Sequence, residues 1–155
     1  MVNASVDGDE ILLKERINIG CAVATEAGLI VPVLKDLNAS RLFDVAQKLN
    51  EIVRRAREKK LNPDDVQGGT FSITNPGIYG SLHSQPIINQ PQVAILSTGA
   101  IVERPVAISG KVEVHPLIQI GLTFDHRVID GEGGAKFLAT LKKNLEHYHY
   151  HAEIP

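Results

Sequence analysis

The residues whose types and spacing most clearly favour chemistry are His126 and Asp130, four positions apart in Asp-His-Arg-Val-Ile-Asp-Gly (residues 125–131). Histidine is the side chain whose unperturbed pKa lets it take and return a proton near neutral pH. Asp130 is expected to cap a following helix, because its carboxylate can accept the free N–H groups of the first turn. These residues predict a general base on a strand-to-helix loop. A buried or capping histidine stays open as the alternative.

A second candidate is Thr74, in the run Gly-Thr-Phe-Ser-Ile-Thr-Asn-Pro-Gly (residues 69–77). Residues 71–74 predict a short strand that enters a turn at residues 75–77, where proline and glycine follow the order of a type II turn. The threonine hydroxyl can donate a hydrogen bond to a developing oxyanion. A hydroxyl that only helps to form the turn is the alternative.

The strands that must position these residues are indicated by β-branched and apolar runs between turn signals. One region, residues 10–34, predicts two strands joined at residues 26–28. Further strands are predicted at residues 93–103, 106–108, 111–114 and 116–124, with a hairpin turn at Ser109-Gly110. The polar segment between residues 77 and 92 predicts a long functional loop.

Two helices are predicted where apolar residues recur every three or four positions, at residues 41–59 and 131–146. The basic end of the first, residues 54–60, favours a solvated face over a contact with a ligand phosphate. The second is expected to bury four residues, Phe137, Leu138, Leu141 and Leu145, and the glycines of residues 131–134 favour close packing at its start. Strands that carry two helices make the fold class α+β, with helices packed on a mixed sheet.

Length and composition fit one globular domain: 155 residues, of which 43% are hydrophobic, are enough for one core. Charged residues interrupt every apolar stretch, so neither a membrane span nor a signal peptide is expected. The net charge of −2 gives no reason to expect a nucleic-acid partner. Cys21 is the one cysteine, which excludes an internal disulfide and predicts an inert core thiol.

Four segments, taken in order, resemble the catalytic domain of the dihydrolipoamide acyltransferases, the core components of 2-oxoacid dehydrogenase complexes. They are residues 19–34, 69–77, 86–96 (Pro-Ile-Ile-Asn-Gln-Pro-Gln-Val-Ala-Ile-Leu) and 125–131. The resemblance implies a two-layer, chloramphenicol-acetyltransferase-like fold. It also implies transfer of an acyl group between dihydrolipoamide and coenzyme A, with both thiols as substrates and no metal.

The same resemblance implies roles for three residues. His126 matches the family's general base, Thr74 its oxyanion donor, and Asp130 an aspartate that pairs with an arginine to hold the histidine loop. In the family, a trimer places the histidine of one subunit opposite the Ser/Thr of its neighbour. A homotrimer, a larger cage of trimers and lipoyl domains are therefore the expected partners. The expected location is the cytoplasm, or the mitochondrial matrix in a eukaryote.

The acyl group is indicated by residues 78–92, which resemble the succinyl-transferring branch through Gly-Ser-Leu-x-Ser-x-Pro-Ile-Ile-Asn-x-Pro-Gln. Ser81, His83 and Ser84 can offer hydrogen bonds to a distal carboxylate, and Asn75 joins them as a candidate substrate contact. The loop holds no cation unless His83 is protonated. A plain loop histidine is the alternative for that residue.

The predicted organisation is a partial acyltransferase catalytic domain at residues 1–146 and a C-terminal tail at residues 147–155. The lipoyl domain, the peripheral-subunit-binding domain and about the first third of the catalytic domain are expected to be missing. A non-catalytic assembly module of the complex core is therefore an alternative function. A small-molecule acetyltransferase of the chloramphenicol type is a third. Alternating histidines in residues 147–151 favour an altered tail over a zinc or nickel site.

Overall fold

The computed structural model describes residues 1–148, which form eleven strands and two α-helices. The strands are β1 Ala4–Asp7, β2 Glu10–Leu13, β3 Ile19–Cys21, β4 Val23–Thr25, β5 Gly28–Ile30, β6 Val33–Leu34, β7 Phe71–Thr74, β8 Ala94–Thr98, β9 Val102–Ile108, β10 Lys111–Leu117 and β11 Ile120–Phe124. The helices are α1 Leu42–Arg57 and α2 Gly131–Glu146. No helix in this part of the chain is long and apolar enough to cross a membrane.

The centre of the molecule is a five-stranded sheet in the order β11-β8-β7-β3-β6. Strand β7 runs parallel to both β8 and β3, whereas β11 and β6 run antiparallel to their neighbours. The predicted mixed sheet is therefore confirmed. Three separate hairpins surround it, formed by β1 with β2, β4 with β5, and β9 with β10.

The hydrophobic core lies between one face of this sheet and helix α2. Phe71 of β7 packs against Phe137 of α2, with ring centroids 5.9 Å apart. Leu138 and Leu141 also pack on the core, as predicted, but Leu145 is 56% exposed. The prediction for Leu145 is wrong because the last turn of α2 extends beyond the buried cluster and borders a surface groove.

The other predicted helix, α1, buries Ile52 and Ala56 and contacts β4 and β6. Its basic end is largely neutralised within the chain: Arg54 pairs with Glu51 and Glu58, and Arg55 pairs with Asp65. The interpretation of this run as a solvated helix end is confirmed.

The predicted strands are right in position but wrong in continuity. Residues 10–34 form five strands rather than two, because the chain moves from a peripheral hairpin into the central sheet and out again; the β4–β5 hairpin occupies the predicted turn. Residues 93–103 are interrupted at residues 99–101, and residues 116–124 change partner strand at residues 118–119. The hairpin at Ser109-Gly110 is confirmed, with φ of 51° and 81° at the two turn residues.

The long loop contacts the sheet face that carries Ser72 and Ser97. Its buried anchor is the hydrogen bond from Ser72 Oγ to Gln92 Oε1, at 2.7 Å. The predicted type II turn is wrong: residues Pro76–Tyr79 form a short 3-10 helix. Gly77 does not have the positive φ that a type II turn needs at this position. Its lack of a side chain instead permits a backbone crossing, since a Cβ on Gly77 would lie 2.2 Å from the Gly99 carbonyl. The predicted tail falls largely outside the described residues, including His149 and His151.

Candidate active site

His126 projects from a tight loop that joins β11 to α2. The backbone N–H groups of Val128 and Ile129 both donate to the Asp125 carbonyl, at 3.0 Å, and the two side chains are 5% and 2% exposed. Burying two apolar residues fixes this loop, while the preceding His126 and Arg127 remain exposed. In residues 125–129, three polar side chains precede two apolar ones. The apolar pair is buried and holds the loop in place, so the histidine lies at the surface on an ordered loop.

Arg127 and Asp125 form an ion pair beside this histidine. Arg127 Nε donates to Asp125 Oδ1 at 3.0 Å, and Nη2 donates to Oδ2 at 2.6 Å. These side-chain hydrogen bonds, together with one from the Arg127 backbone, hold the pKa of Asp125 below its usual value. The carboxylate is therefore charged and occupied by Arg127. Within residues 1–148, the imidazole of His126 accepts or donates no hydrogen bond, and its aromatic contact is with Phe124, at 5.8 Å between ring centroids.

Asp130 begins helix α2, as predicted. Its Oδ1 accepts a hydrogen bond from the Gly133 backbone N–H at 2.6 Å. The described part of the chain contains no ion pair to Asp130, so the arginine partner implied by the resemblance is not among these residues. The helix cap and the buried Val128 and Ile129 hold the loop instead.

Thr74 ends strand β7 at the other end of the sheet. It is half-buried, it pairs in register with Ser97 of β8, and its hydroxyl makes no hydrogen bond to any residue between 1 and 148. Asn75 is exposed and starts the short 3-10 helix without a side-chain cap. The hydroxyl of Thr74 is thus available to an external acceptor.

The loop residues expected to contact substrate divide into two groups. Thr74 and its register partner Ser97 form a row across the sheet, the Thr74 row. Ser84 lies over this row, since Ser97 Oγ donates to the Ser84 carbonyl at 3.0 Å. The hydroxyl of Ser84 is buried without a partner in the part of the chain described. Ser81 instead donates to the His83 carbonyl at 3.0 Å, and the His83 side chain is exposed. Of the loop residues Ser81, His83 and Ser84, only Ser84 has a hydrogen bond to the Thr74 row within residues 1–148.

His126 and Thr74 are not brought together within one chain. Phe124, two residues before His126, pairs with Ala94 at the start of β8, whereas Thr74 pairs with Ser97 near its end. At about 3.3 Å per residue, these pairs are about 10 Å apart along β8. Strands β7 and β11 flank β8, which adds about 10 Å across the sheet. This separation is far beyond hydrogen-bond reach.

Two surface grooves border helix α2. One, of about 450 Å³, contains His126 together with Arg127, Asp130, Glu132 and Lys136. A larger apolar groove of about 510 Å³ lies between α2 and the base of the β9–β10 hairpin and contains neither His126 nor Thr74. Across residues 1–148 there is no cluster of three or more His, Cys, Asp or Glu side chains that could hold a metal ion.

Cys21, on the strand next to β7, is half-buried and pairs in register with Ile73. Burial raises the pKa of its thiol, which keeps it protonated and poorly nucleophilic. The expected inert thiol is thereby supported.

Comparison with known protein families shows to which family this chain is related. Residues 1–151 match the model of the 2-oxoacid dehydrogenases acyltransferase (catalytic domain) family. The chain belongs to this family. Among relatives, the dihydrolipoyllysine-residue succinyltransferase component of the 2-oxoglutarate dehydrogenase complex of Rickettsia typhi is 48% identical over 94% of this chain. This acyltransferase-family chain spans 36% of the length of that relative.

Solved structures place this acyltransferase-family chain among the catalytic cores. A probable dihydrolipoamide acetyltransferase from Listeria monocytogenes is 39% identical, with a TM-score of 0.90 over 94% of this chain and 62% of that one. The cubic core of the pyruvate dehydrogenase multienzyme complex is 35% identical, with a TM-score of 0.88 over 93% and 60%. Chloramphenicol acetyltransferase, 18% identical, has a TM-score of 0.52 over 92% and 68%. The expected fold is confirmed.

One further relative permits a comparison of spacing. The dihydrolipoamide acetyltransferase of Azotobacter vinelandii is 35% identical, with a TM-score of 0.89 over 94% of this chain and 61% of that one. A serine, a histidine and an asparagine of that enzyme were studied for their role in its catalytic mechanism. The serine precedes that histidine by 52 positions and the asparagine follows it by 4. In this acyltransferase-family chain, Thr74 and Asp130 have the same spacings from His126.

Proposed function

We propose that this chain is the catalytic part of a dihydrolipoamide acyltransferase that moves a succinyl group between dihydrolipoamide and coenzyme A. Its family and its likeness to a succinyltransferase support this. His126 is the general base and Thr74 the oxyanion donor, roles favoured by the matching spacings in the Azotobacter vinelandii enzyme. Asp130 is a positioning residue, because its carboxylate caps α2 directly after the histidine loop.

The chemistry requires only these groups. His126 takes the proton of the attacking thiol, because the thiolate is the nucleophile. The thiolate adds to the thioester carbonyl, and the unbonded hydroxyl of Thr74 donates to the oxyanion that forms. Collapse of the tetrahedral intermediate expels the second thiolate, which takes the proton back from His126. One carbon–sulfur bond forms and one breaks, so the reaction needs neither a metal nor a redox partner.

The observation that carries the proposal is the position of His126 and Thr74 at opposite ends of one sheet. A site that needs both within about 3 Å of one reacting carbonyl must then take them from two copies of the chain. A head-to-tail arrangement that closes into a ring repeats the same pairing at every interface. A homotrimer satisfies this requirement and repeats the exposed histidine and the free hydroxyl three times.

The preference for a succinyl group is proposed to reside in the loop over the Thr74 row. A buried hydroxyl with no partner leaves its hydrogen-bonding capacity unused, which is costly unless a ligand supplies the partner. The Ser84 hydroxyl has this property and lies next to Ser97, the register partner of Thr74. Ser81, His83 and Asn75 are candidates for the outer contacts of the same acyl chain.

Mixed assembly tests the shared site directly. The His126→Ala and Thr74→Ala chains are unfolded together, refolded in equal amounts, and assayed for succinyl transfer from succinyl-CoA to dihydrolipoamide. With random mixing into head-to-tail rings, about one quarter of the sites receive both native residues, so about one quarter of the wild-type rate should return. Each variant refolded alone is the control. A mixture as inactive as its components would contradict the shared site.

The same experiment separates catalysis from assembly. A wild-type chain that forms trimers but transfers neither succinyl nor acetyl groups would favour the non-catalytic assembly module. A stable monomer with full turnover would contradict the interface between copies. Transfer from acetyl-CoA in preference to succinyl-CoA would leave the mechanism intact and remove the proposed acyl specificity.

A further inference from the structure

The imidazole of His126 needs something to set its orientation, because a general base acts only when its lone pair points at the proton it removes. In well-ordered catalytic histidines, a hydrogen bond to the second ring nitrogen usually does this. Here Asp125, the adjacent carboxylate, is taken by Arg127, and within residues 1–148 no hydrogen bond reaches the His126 ring. An aromatic contact does reach the ring.

That contact is the phenyl ring of Phe124. The two ring centroids are 5.8 Å apart and the planes are inclined by 40°. Aromatic pairs at such distances attract each other in tilted arrangements. Both residues lie on one short stretch of backbone, where Asp125 N–H donates to the Val93 carbonyl at 2.8 Å. With the backbone held, the side-chain torsions of His126 are the remaining freedom, and the phenyl ring limits them.

Phe124 is in turn seated on a glycine of helix α2. A Cβ on Gly134 would lie 2.6 Å from Phe124 Cε1, 3.0 Å from Cζ and 3.3 Å from Cδ1. The 2.6 Å contact is shorter than real Cβ contacts, so any side chain at position 134 would displace the ring. The helix therefore approaches the ring closely only because residue 134 is glycine.

We propose that Phe124, seated on Gly134, is a positioning residue that orients the imidazole of His126 for proton transfer. The inference rests on the proposed role of His126 as the base. It adds to that role a short chain of contacts, from the helix through the phenyl ring to the imidazole. Asp130 fixes the start of the same helix, so the cap and the ring act on one loop from two sides.

Two exchanges at Phe124 test the ring itself. Phe124→Leu keeps an apolar side chain but removes the aromatic contact, and should lower kcat by about 10- to 100-fold, as misplacement of a reacting group by about 1 Å does. The KM values for succinyl-CoA and dihydrolipoamide should change by less than about twofold, because a residue that acts only through His126 affects the transition state more than substrate binding. Phe124→Tyr keeps the aromatic contact and should retain most of kcat.

Two glycine exchanges in the same helix form a matched pair. Gly134→Ala adds a methyl group against the Phe124 ring, whereas Gly131→Ala adds the same group where nothing lies within 4 Å. Both exchanges replace a glycine in the first turns of α2 with a better helix former. Gly134→Ala should therefore lower kcat about tenfold or more, and Gly131→Ala should leave it unchanged. Equal activity of the two variants would overturn the contact chain.

The chemical shifts of the His126 imidazole protons, measured by nuclear magnetic resonance, test the contact independently of turnover. The phenyl ring current should shift the His126 signals, so Phe124→Leu and Gly134→Ala should move them, while Phe124→Tyr and Gly131→Ala should not. If the wild-type chain has no turnover, the proposed function fails but these shifts still decide the contact. The proposal would be overturned if the His126 signals did not shift in Phe124→Leu. It would also be overturned if kcat fell equally in the Leu and Tyr variants.

Discussion

The two ends of the central sheet carry the two candidate catalytic residues, and they are built in different ways. At the His126 end, most of the residues that shape the site are consecutive, from Phe124 to Asp130: the ring of Phe124, the Asp125–Arg127 pair, the buried Val128 and Ile129, and the Asp130 cap. At the Thr74 end, the parts come from three distant segments: β7, β8 and the loop that contains Ser84.

This difference explains why the two ends behave differently as chemical sites. The local end is exposed, and its loop is held both by short-range contacts and by the burial of Val128 and Ile129 in the core, so the base stands on a fixed support at the surface. The composite end leaves two hydroxyls, those of Thr74 and Ser84, without partners in the part of the chain described. Neither end is a complete site. In the function proposed above, each end completes a site by facing the opposite end of a neighbouring copy.

The largest effect is expected from removing the base at the local end. His126→Ala should lower the rate of succinyl transfer by about 10²–10⁴-fold, the usual contribution of general acid–base catalysis. Folding should be unaffected, because the side chain is exposed. His115→Ala is the matched control: this histidine lies on the β9–β10 hairpin and pairs with Glu113. Steady-state rates of succinyl transfer by both variants test this role. Normal turnover in His126→Ala would exclude His126 as the general base.

The composite end should respond almost as strongly to loss of its donor. Thr74→Ala should reduce kcat by about 10²–10³-fold, as removal of one oxyanion donor does. Thr74→Ser keeps the hydroxyl and should restore most of the rate. Single-turnover measurements with succinyl-CoA separate this from a binding defect. If the Ser variant were as slow as the Ala variant, the hydroxyl would not be the active group.

The His126 end is also the part that the sequence predicts best. The helix bounds of α2, the Asp130 cap and the exposed histidine follow from spacing within a few residues, because capping and apolar periodicity are local effects. The role of Phe124 escaped prediction. Its signal was the glycine pair at residues 133–134, which indicated close packing without showing what packs there.

The Thr74 end shows where prediction from sequence stops. The strand Phe71–Thr74 was placed correctly, but the type II turn after it was not, because the Gly77 crossing with Gly99 is a contact between segments far apart in sequence. Ser97 carried no signal at all, since its importance comes from strand register and from the Ser84 carbonyl. Strand continuity failed for the same reason: partner exchange depends on where a strand lies in space.

A moderate effect is expected from removing the Ser84 hydroxyl at the composite end. Ser84→Ala removes a buried hydroxyl that has no partner, so the free protein should be as stable as the wild type or slightly more stable. Its kcat/KM for succinyl-CoA should fall about tenfold, the value of one hydrogen bond, with little change for acetyl-CoA. Ser97→Ala is the contrasting variant, because it breaks the bond to the Ser84 carbonyl and should lower Tm. Equal losses with both acyl donors would contradict a role in specificity.

The smallest effect is expected from the ion pair at the local end, and it depends on pH. Arg127 lowers the pKa of Asp125 in the folded protein, so the pair stabilises the fold above the unfolded carboxyl pKa of about 3.9. That stabilisation is lost as the pH falls through the lower folded pKa. Asp125→Asn should therefore lower Tm slightly at pH 7, and the difference from the wild type should disappear in strong acid. Because Arg127 is largely exposed, added salt should reduce the effect. In a double-mutant cycle with Arg127→Gln, the second exchange should add almost nothing; fully additive losses would show that the two side chains stabilise the loop independently.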